Sequence, residues 1–289
     1  DGYYNNQFIK ISTIGSGGFG TVFKVKHRFN DKIYAVKRVP IDGFSEESKL
    51  KVLKEVNNLA KLVSKYVVKY YHSWFESNHL YIQMEFCPQS LKTLLKDKVI
   101  VFGRQPKDQM KVFEYFISCQ IFKELLECVQ YLHECNPRII HRDLKPDNIL
   151  IEHNVRCNRF VKLCDFGLAT DHDMNRHTAS RYDHTVCGTH GYIAPEVHSR
   201  KYNHLSDIYS LHVIGGELFG IDLQASKSFK ATDPLLKTSI QCMYETLQQM
   251  MAIVWRQRPE CRKVLAKYNE WSIHKNVVTN HKEFNNLYN

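Results

Sequence analysis

The sequence lacks long apolar runs, Cys-x-x-Cys pairs, internal repeats and low-complexity stretches. A membrane-spanning helix needs about 18 or more consecutive apolar residues, so we expect no membrane segment. Residues 1–10 also lack the apolar core of a signal peptide. The nine cysteines follow no zinc-ribbon or disulfide-scaffold spacing. We therefore expect an intracellular, cytoplasmic protein with reduced cysteines.

The composition excludes a disordered or collagen-like chain, because 43% of the 289 residues are hydrophobic and 24% are charged. The formal net charge is +10. The lysines are scattered, however, which is typical of a solvated surface, so we predict no direct nucleic-acid binding through this domain. Because Asp1 is not a methionine, we also expect a segment of a longer protein.

Alternating apolar and polar residues predict an antiparallel β region at the start of the chain, with one helix inside it. The helix is indicated by Ser45 and Glu47 at its start and by apolar residues at helical spacing, which are Leu50, Leu53, Val56, Leu59, Ala60 and Val63. The predicted strands are Phe8–Ile11, Val22–Lys26, Ile33–Val36, Val67–Phe75 and Leu80–Phe86, and the predicted helix is Ser45–Leu62.

Long helical patterns dominate after Pro88, at Leu91–Leu95, Lys111–His133, Asp207–Phe219 and Lys237–Val254, with a small hairpin at Asn148–Ile151 and Val161–Cys164. We therefore predict an α+β fold in one domain over residues 1–289. A small β lobe covers 8–86, a large α lobe covers 87–272, and a polar tail covers 273–289. The hinge is expected near Glu85–Pro88.

A glycine cluster follows the first strand, at Gly15, Gly17, Gly18 and Gly20. The G-x-G-x-x-G pattern also occurs in ordinary tight turns and is weak by itself. A dinucleotide-binding fold needs a helix directly after the glycines, whereas Thr21–Lys26 continues as a strand. The pattern therefore favours a glycine-rich hairpin whose backbone amides approach nucleotide phosphates.

Lys37 ends the third predicted strand and would ordinarily be a surface charge. Glu55 lies on the predicted helix among Leu50, Val56 and Leu59, where an unpaired carboxylate would be costly. A Lys37–Glu55 ion pair would offset that cost and hold the ammonium group against nucleotide phosphates.

Three motifs occur in order: His141–Asn148 reads H-R-D-L-K-P-D-N, Asp165–Gly167 reads D-F-G, and Ala194–Glu196 reads A-P-E. From about Phe8 to Leu265 the chain resembles the eukaryotic protein kinases, which implies their bilobal fold. The resemblance implies that Asp143 accepts or orients the substrate hydroxyl proton and that Lys145 neutralises charge on the transferring phosphoryl group. With Lys37 and Glu55, these residues form the predicted catalytic set.

The same resemblance implies the cofactors ATP and Mg²⁺, with Asn148 and Asp165 as metal ligands. The glycine cluster and Lys37 would contact the phosphates, and the backbone of Glu85 and Cys87 would hydrogen-bond the adenine. The residues implied to enclose the adenine ring are Ile14, Val22, Ala35, Met84 and Leu150. Plain core packing is the alternative role for these five.

The catalytic loop and Gly188–Glu196 resemble serine/threonine kinases. A narrower resemblance is to the kinases that phosphorylate the alpha subunit of eukaryotic translation initiation factor 2, and it is carried by Gly15–Lys24, Tyr70–Glu76 and Leu80–Cys87. Those kinases suppress translation under stress. That factor is therefore the implied protein partner. A homodimer is also implied, although the dimer-forming segment of those kinases contains an arginine and Asp1–Ile9 contains none.

Some residues depart from the family pattern. His212 stands where the family has glycine in a tightly packed helix, which predicts lowered activity. The expected Glu196–Arg262 pair, which clamps the activation segment, can still form. Residues 221–236 show no pattern for the relatives' substrate-docking helix. Thr185 is the predicted activating phosphorylation site, because its phosphate could pair with Arg142. The resemblance implies that Thr189 instead holds its hydroxyl against Asp143 and serves substrate positioning.

Two alternatives stay open from the sequence. One is a pseudokinase, which is a binding module that imitates such an enzyme. His212 favours this alternative. It is opposed by the presence of the motif residues Lys37, Asp143, Asn148 and Asp165. The other is a serine/threonine kinase with another protein substrate.

Overall fold

A computed structural model describes residues 2–17, 20–43, 45–104, 108, 110–152, 159–172, 186–223 and 234–280. The chain divides into two units. The first holds the residues up to Pro88 together with Lys162–Gly167, and the second holds Gln89–Val161 and the residues from Leu168 onward. Among the described residues, no helix is both long enough and apolar enough to cross a membrane.

The first unit is built on a five-stranded antiparallel sheet with the strand order β1-β2-β3-β5-β4. All five strands and the larger helix were predicted from sequence periodicity. The five-residue helix α1 was missed because it is too short to show a helical period. The elements are α1 (Tyr3–Gln7), β1 (Phe8–Gly17), β2 (Gly20–His27), β3 (Ile33–Pro40), α2 (Glu46–Lys61), β4 (Tyr70–Glu76) and β5 (His79–Glu85).

The two faces of this sheet carry separate apolar clusters, because successive strand residues point to opposite faces. One cluster joins the sheet to α2 through Val39, Val52, Val56, Leu80 and Ile82. On the other face, Tyr4 of α1 and Trp74 pack against a buried cluster that consists of Phe8, Phe23, Val25, Tyr34, Val36 and Tyr81.

One sequence expectation for α2 is wrong. Leu50 is 65% exposed and Leu53 is 40% exposed, so neither forms the buried edge that helical spacing suggested. Val56 and Leu59 of the predicted face are buried as expected, and Val52, four residues before Val56, also packs against the sheet. The buried face of α2 therefore keeps Val56 and Leu59 and includes Val52 in place of Leu50 and Leu53.

The second unit is mostly helical. Its helices are α3 (Leu91–Val101), α4 (Val112–Glu134), α5 (Leu205–Phe219), α6 (Pro234–Met250), α7 (Cys261–Ala266), α8 (Tyr268–Trp271) and α9 (Lys275–Thr279). Short strands accompany them: β6 (Gln89–Ser90), β7 (Arg138–Ile140), β8 (Ile149–Ile151), β9 (Val161–Leu163), which extends into the first unit, and β10 (Thr170–His172). Strand β6 pairs with β8, and β7 pairs with β10.

Helices α4 and α5 form the centre of the second unit. Phe122 of α4 contacts the rings of Phe219 and Trp271. A Cβ atom at Gly215 of α5 would lie 2.5 Å from Leu247 and 3.1 Å from Phe122. The close helix packing that requires a glycine is therefore at Gly215.

His212 is accommodated in this packing rather than crowded by it. Its Nδ1 donates a hydrogen bond to the Tyr209 carbonyl, and its ring meets the Tyr209 ring edge-on at 4.3 Å between centroids. Burial, together with the nearby Arg258 guanidinium, lowers the pKa of His212 to about 4. The histidine is therefore neutral in the folded protein near pH 7.

The clamp on the A-P-E segment uses a different arginine from the expected one. Glu196 accepts hydrogen bonds from Arg258 at 2.5 and 2.8 Å, and Arg258 also donates to the carbonyls of Leu205 and Ala252. Arg262, the predicted partner, is exposed and pairs with Glu260. The Glu196–Arg262 expectation is therefore wrong.

We predict that Arg258→Ala lowers the free energy of unfolding by about 3–5 kcal/mol, because it leaves the Glu196 carboxylate, which is only 10% exposed, without its cation. The matched control, Arg262→Ala, should cost less than about 1 kcal/mol, since that side chain is 66% exposed. Urea unfolding of both variants measures the difference. Equal losses would contradict the assignment of Arg258 as the clamp.

A second prediction concerns the pH dependence of stability. The unfolded chain protonates His212 near pH 6.5, whereas the folded protein does so only near pH 4. The stabilising contribution of the neutral histidine is thus complete above pH 6.5 and declines as the pH falls through this window. Between pH 7.5 and pH 5 the loss should be about 2 kcal/mol.

The variant His212→Asn preserves a donor for the Tyr209 carbonyl and cannot titrate, so it should show a correspondingly smaller pH dependence in urea unfolding. His198→Asn, at an exposed position, is the control and should keep the pH dependence of the unsubstituted protein. An unchanged pH slope in His212→Asn would contradict the pKa assignment.

Candidate active site

The sheet of the first unit places four of the predicted nucleotide-binding residues on one face. Ala35 and Lys37 are two residues apart on β3 and therefore share a face. Across the strand pairs, Lys37 lies opposite Val22, and Ala35 lies opposite Met84. Directly opposed residues also share a face. The register thus brings together Val22, Ala35, Lys37 and Met84.

The glycine cluster begins on β1 and ends on β2, with Gly15 opposite Val22 and Gly17 opposite Gly20. Gly20 has a φ of +126°, and a Cβ there would lie 2.3 Å from the Arg38 carbonyl oxygen. Sheet packing alone therefore requires glycine at this position. A Cβ at Gly17 would meet no described atom within 4 Å, so contacts with the described residues do not require glycine at this position.

Lys37 is 8% exposed, and its Nζ lies 3.7 Å from Oδ1 of Asp165. Asp165 belongs to the first unit as part of the segment Lys162–Gly167, although the residues before and after that segment belong to the second. It has a φ of +63°, which is unusual for a residue other than glycine. The structure thus joins the predicted phosphate-binding cation and one predicted metal ligand.

Some predicted residues remain untested by these contacts. Glu55 lies on α2, but its side chain is outside the described residues, so the Lys37–Glu55 pair stays a prediction. Gly18 and Thr185 are also outside the described residues. Ile14 is 45% exposed on β1, and Leu150 lies on β8 of the second unit opposite Ser90.

The hinge residues end the first unit. Glu85 is the last residue of β5, and Cys87 is 8% exposed. The carboxylate of Glu85 also makes contacts of its own, to Lys162 and to the backbone of Lys69. These contacts were not expected, because the sequence analysis assigned only the backbone of Glu85.

The catalytic loop of the second unit is anchored to α5 by Asp207. The Asp207 carboxylate accepts hydrogen bonds from the backbone amides of His141 and Arg142 at 2.9 and 3.0 Å, and from His133 at 2.9 Å. Burial alone would raise the pKa of Asp207, but the hydrogen bond and charge of His133 outweigh it and hold the pKa below its usual value. Asp207 is therefore a buried carboxylate whose hydrogen bonds set the path of the loop.

Three side chains surround the predicted proton acceptor. Oδ1 of Asp143 accepts a hydrogen bond from the Thr189 hydroxyl at 2.6 Å. Oδ2 lies 2.9 Å from the Lys145 ammonium and 3.0 Å from the Asn148 amide nitrogen. Lys145 also donates to Thr189 at 2.8 Å. Asp143 is thus held in one orientation, with a hydroxyl group already accommodated at one carboxylate oxygen.

This cluster contains the second-unit residues that the motifs predicted, together with Thr189. No sequence pattern predicted Asp207, His133 or Arg258 as supports for the loop and the A-P-E segment. Asp207 stands in the first turn of a predicted helix, where an acidic residue is ordinary. Only its tertiary contacts distinguish it.

The protein kinase domain family matches residues 8–280 of the chain. The interferon-induced, double-stranded RNA-activated protein kinase of Mus musculus is 29% identical over 295 residues, which cover 94% of this chain and 52% of that protein. The Rattus norvegicus protein of the same name is 30% identical over 300 residues, with coverage of 94% and 53%. The Wee1-like protein kinase of Arabidopsis thaliana is 34% identical over 271 residues, with coverage of 91% and 49%. The chain spans about half the length of these curated relatives.

We predict that Thr189→Val lowers kcat for protein phosphorylation by roughly 10- to 100-fold, because it removes a hydroxyl bonded to both charged groups, Asp143 and Lys145. Thr189→Ser keeps the hydroxyl and should stay within about threefold of the unsubstituted protein. Steady-state kinetics with a generic protein substrate measures both variants. Unchanged kcat in Thr189→Val would show that this hydroxyl does not position Asp143.

Proposed function

The chain belongs to the protein kinase family and is a protein serine/threonine kinase, and we propose that it phosphorylates the alpha subunit of eukaryotic translation initiation factor 2. The α+β bilobal kinase fold expected from the sequence is confirmed by the family match. The observation that carries the proposed reaction is the orientation of Asp143 by Lys145, Asn148 and Thr189.

The proposed roles follow from charge and position. Asp143 orients the substrate hydroxyl and accepts its proton, since an equivalent hydroxyl already bonds its Oδ1. Lys145 places positive charge 2.9 Å from the same carboxylate, where it can offset negative charge on the phosphoryl group. Lys37 binds phosphate oxygens in exchange for part of its contact with Asp165. The work of these residues is positioning and electrostatic stabilisation.

The donor set fits ATP with a divalent cation, which we propose is Mg²⁺. Asn148 commits its amide nitrogen to Asp143, which leaves its carbonyl oxygen as a ligand. Asp165 supplies a carboxylate that is 39% exposed. Oxygen donors of this kind are those that Mg²⁺ prefers, together with phosphate oxygens. A divalent cation held by these oxygens would offset negative charge on the phosphates.

The substrate proposal is supported by the resemblance of Gly15–Lys24, Tyr70–Glu76 and Leu80–Cys87 to the kinases of that translation factor. It would place the protein in the cytoplasm, in translational control under stress, and a homodimer is part of the same proposal. Because a Wee1-like kinase is matched at 34% identity, a serine/threonine kinase with another protein substrate is the second candidate. A pseudokinase is disfavoured by the presence of the motif residues Lys37, Asp143, Asn148 and Asp165.

The test is phosphoryl transfer from labelled ATP with magnesium to the purified alpha subunit, beside an unrelated basic protein. We expect Asp143→Asn and Lys37→Ala each to lower the rate by about 10²–10⁴-fold without loss of folding, because each removes a positioned charge. The exposed pair Asp31→Asn and Lys26→Ala serves as matched controls and should retain activity.

Two outcomes would contradict parts of the proposal. Transfer to the basic protein but not to the alpha subunit would reject the substrate and leave the kinase reaction intact. Undiminished transfer by Asp143→Asn would reject the catalytic assignment itself.

A further inference from the structure

The carboxylate of Glu85 joins three separate segments of the first unit. Its Oε1 accepts a hydrogen bond from the Lys162 ammonium at 2.6 Å, and its Oε2 accepts one from the Lys69 backbone amide at 3.1 Å. The backbone amide of Glu85 donates to the Lys69 carbonyl at 2.8 Å. Glu85 and Lys69 are thus bonded twice, once through backbone and once through a side chain.

The segment Lys162–Gly167, which carries Asp165, is hydrogen-bonded to the residues just before Lys69. Leu163 donates to the Tyr66 carbonyl at 3.0 Å, and the Val68 amide donates to the Leu163 carbonyl at 3.0 Å. Lys162 precedes Leu163 on β9, where alternation turns Leu163 into the core and Lys162 toward Glu85. The Lys162–Glu85 pair therefore connects the segment of Asp165 to the end of β5.

This ion pair is more buried than the Lys26–Asp31 pair of the first unit. The side chains of Lys162 and Glu85 are 15% and 19% exposed. Those of Lys26 and Asp31 are 42% and 77% exposed. A partly desolvated, hydrogen-bonded pair holds its geometry more strongly than an exposed one.

We propose that the Lys162–Glu85 pair is a positioning device for nucleotide binding, which holds the hinge backbone and the Asp165 segment in one fixed arrangement. This inference rests on the proposed function, in which the backbone of Glu85 and Cys87 binds adenine and Asp165 binds the metal. Neither Lys162 nor the Glu85 carboxylate touches the nucleotide in this scheme. Their loss should therefore weaken nucleotide binding and leave the phosphoryl-transfer step unchanged.

Lys162→Met removes the charge at nearly constant volume, and Glu85→Gln keeps an acceptor for the Lys69 amide while removing the charge. We expect each variant to weaken the binding of ADP, measured by calorimetry without divalent cation, by about fivefold. The KM for ATP should rise by a similar factor, whereas kcat and the KM for the protein substrate should stay within about twofold.

Three controls make the experiment decisive. Lys162→Arg restores the cation and should restore ADP affinity. Lys26→Met, which breaks the exposed pair, should leave it unchanged. The double variant Lys162→Met/Glu85→Gln should bind ADP about as well as either single variant, because the two substitutions remove one shared interaction.

Unchanged ADP affinity in folded Lys162→Met, or additive losses in the double variant, would overturn the proposal. A lowered melting temperature with unchanged ADP affinity and KM would show that the pair is merely structural, and would also overturn it. Asp143→Asn distinguishes a failure of this inference from a failure of the proposed function, because this variant should bind ADP normally and fail in phosphoryl transfer. If the unsubstituted protein bound no ADP, the proposed function and this inference would both fall.

Discussion

The chemistry of the second unit depends on one buried carboxylate. Asp207, on α5, accepts hydrogen bonds from two consecutive backbone amides of the catalytic loop and from His133 on α4. A carboxylate without these donors would be costly to bury, and loop amides without this acceptor would lose their partners. The requirement is mutual, so the loop, α4 and α5 must adopt their arrangement together. Asp143 is held in place because the residues before it are fixed in this way.

A comparable constraint acts in the first unit through the backbone of Leu163. Its two hydrogen bonds to Tyr66 and Val68 hold a segment distant in sequence beside the five-stranded sheet. Asp165 follows two residues later and meets Lys37 there. In both units the charged group is placed by backbone hydrogen bonds made by its neighbours, and its own ionic contacts then set its orientation.

The catalytic and metal-binding residues were easier to predict from the sequence than the residues that hold them in place. Asp143, Lys145 and Asn148 were predicted from contiguous motifs, since their spacing in one loop is itself the signal. The strands and α2 were also predicted, because apolar periodicity reflects burial on one face. The exposed Leu50 and Leu53 show the limit of that reasoning. Periodicity indicates that a helix has an apolar side, whereas the neighbouring sheet decides which residues it covers.

The arginine clamp illustrates what a linear pattern cannot resolve. Arg258 and Arg262 are four residues apart and chemically identical, yet only Arg258 is buried against Glu196. The α7 helix begins at Cys261, so Arg258 lies before the helix and Arg262 lies in its first turn. His212 is a similar case, because its tolerance depends on the Tyr209 carbonyl and on the position of Gly215 rather than on its own size.

The sequence by itself determined the reaction class, the five strands and larger helix of the first unit, the longer helices of the second, and the identity of the charged groups, because these depend on local spacing and residue chemistry. Tertiary structure alone decided which carboxylate anchors the loop, which arginine clamps Glu196, and that Lys162 and Lys69 meet at Glu85. Those choices depend on contacts between segments far apart in the chain. The free energy of these contacts comes from burying both partners together, so neither segment predicts them from its own sequence.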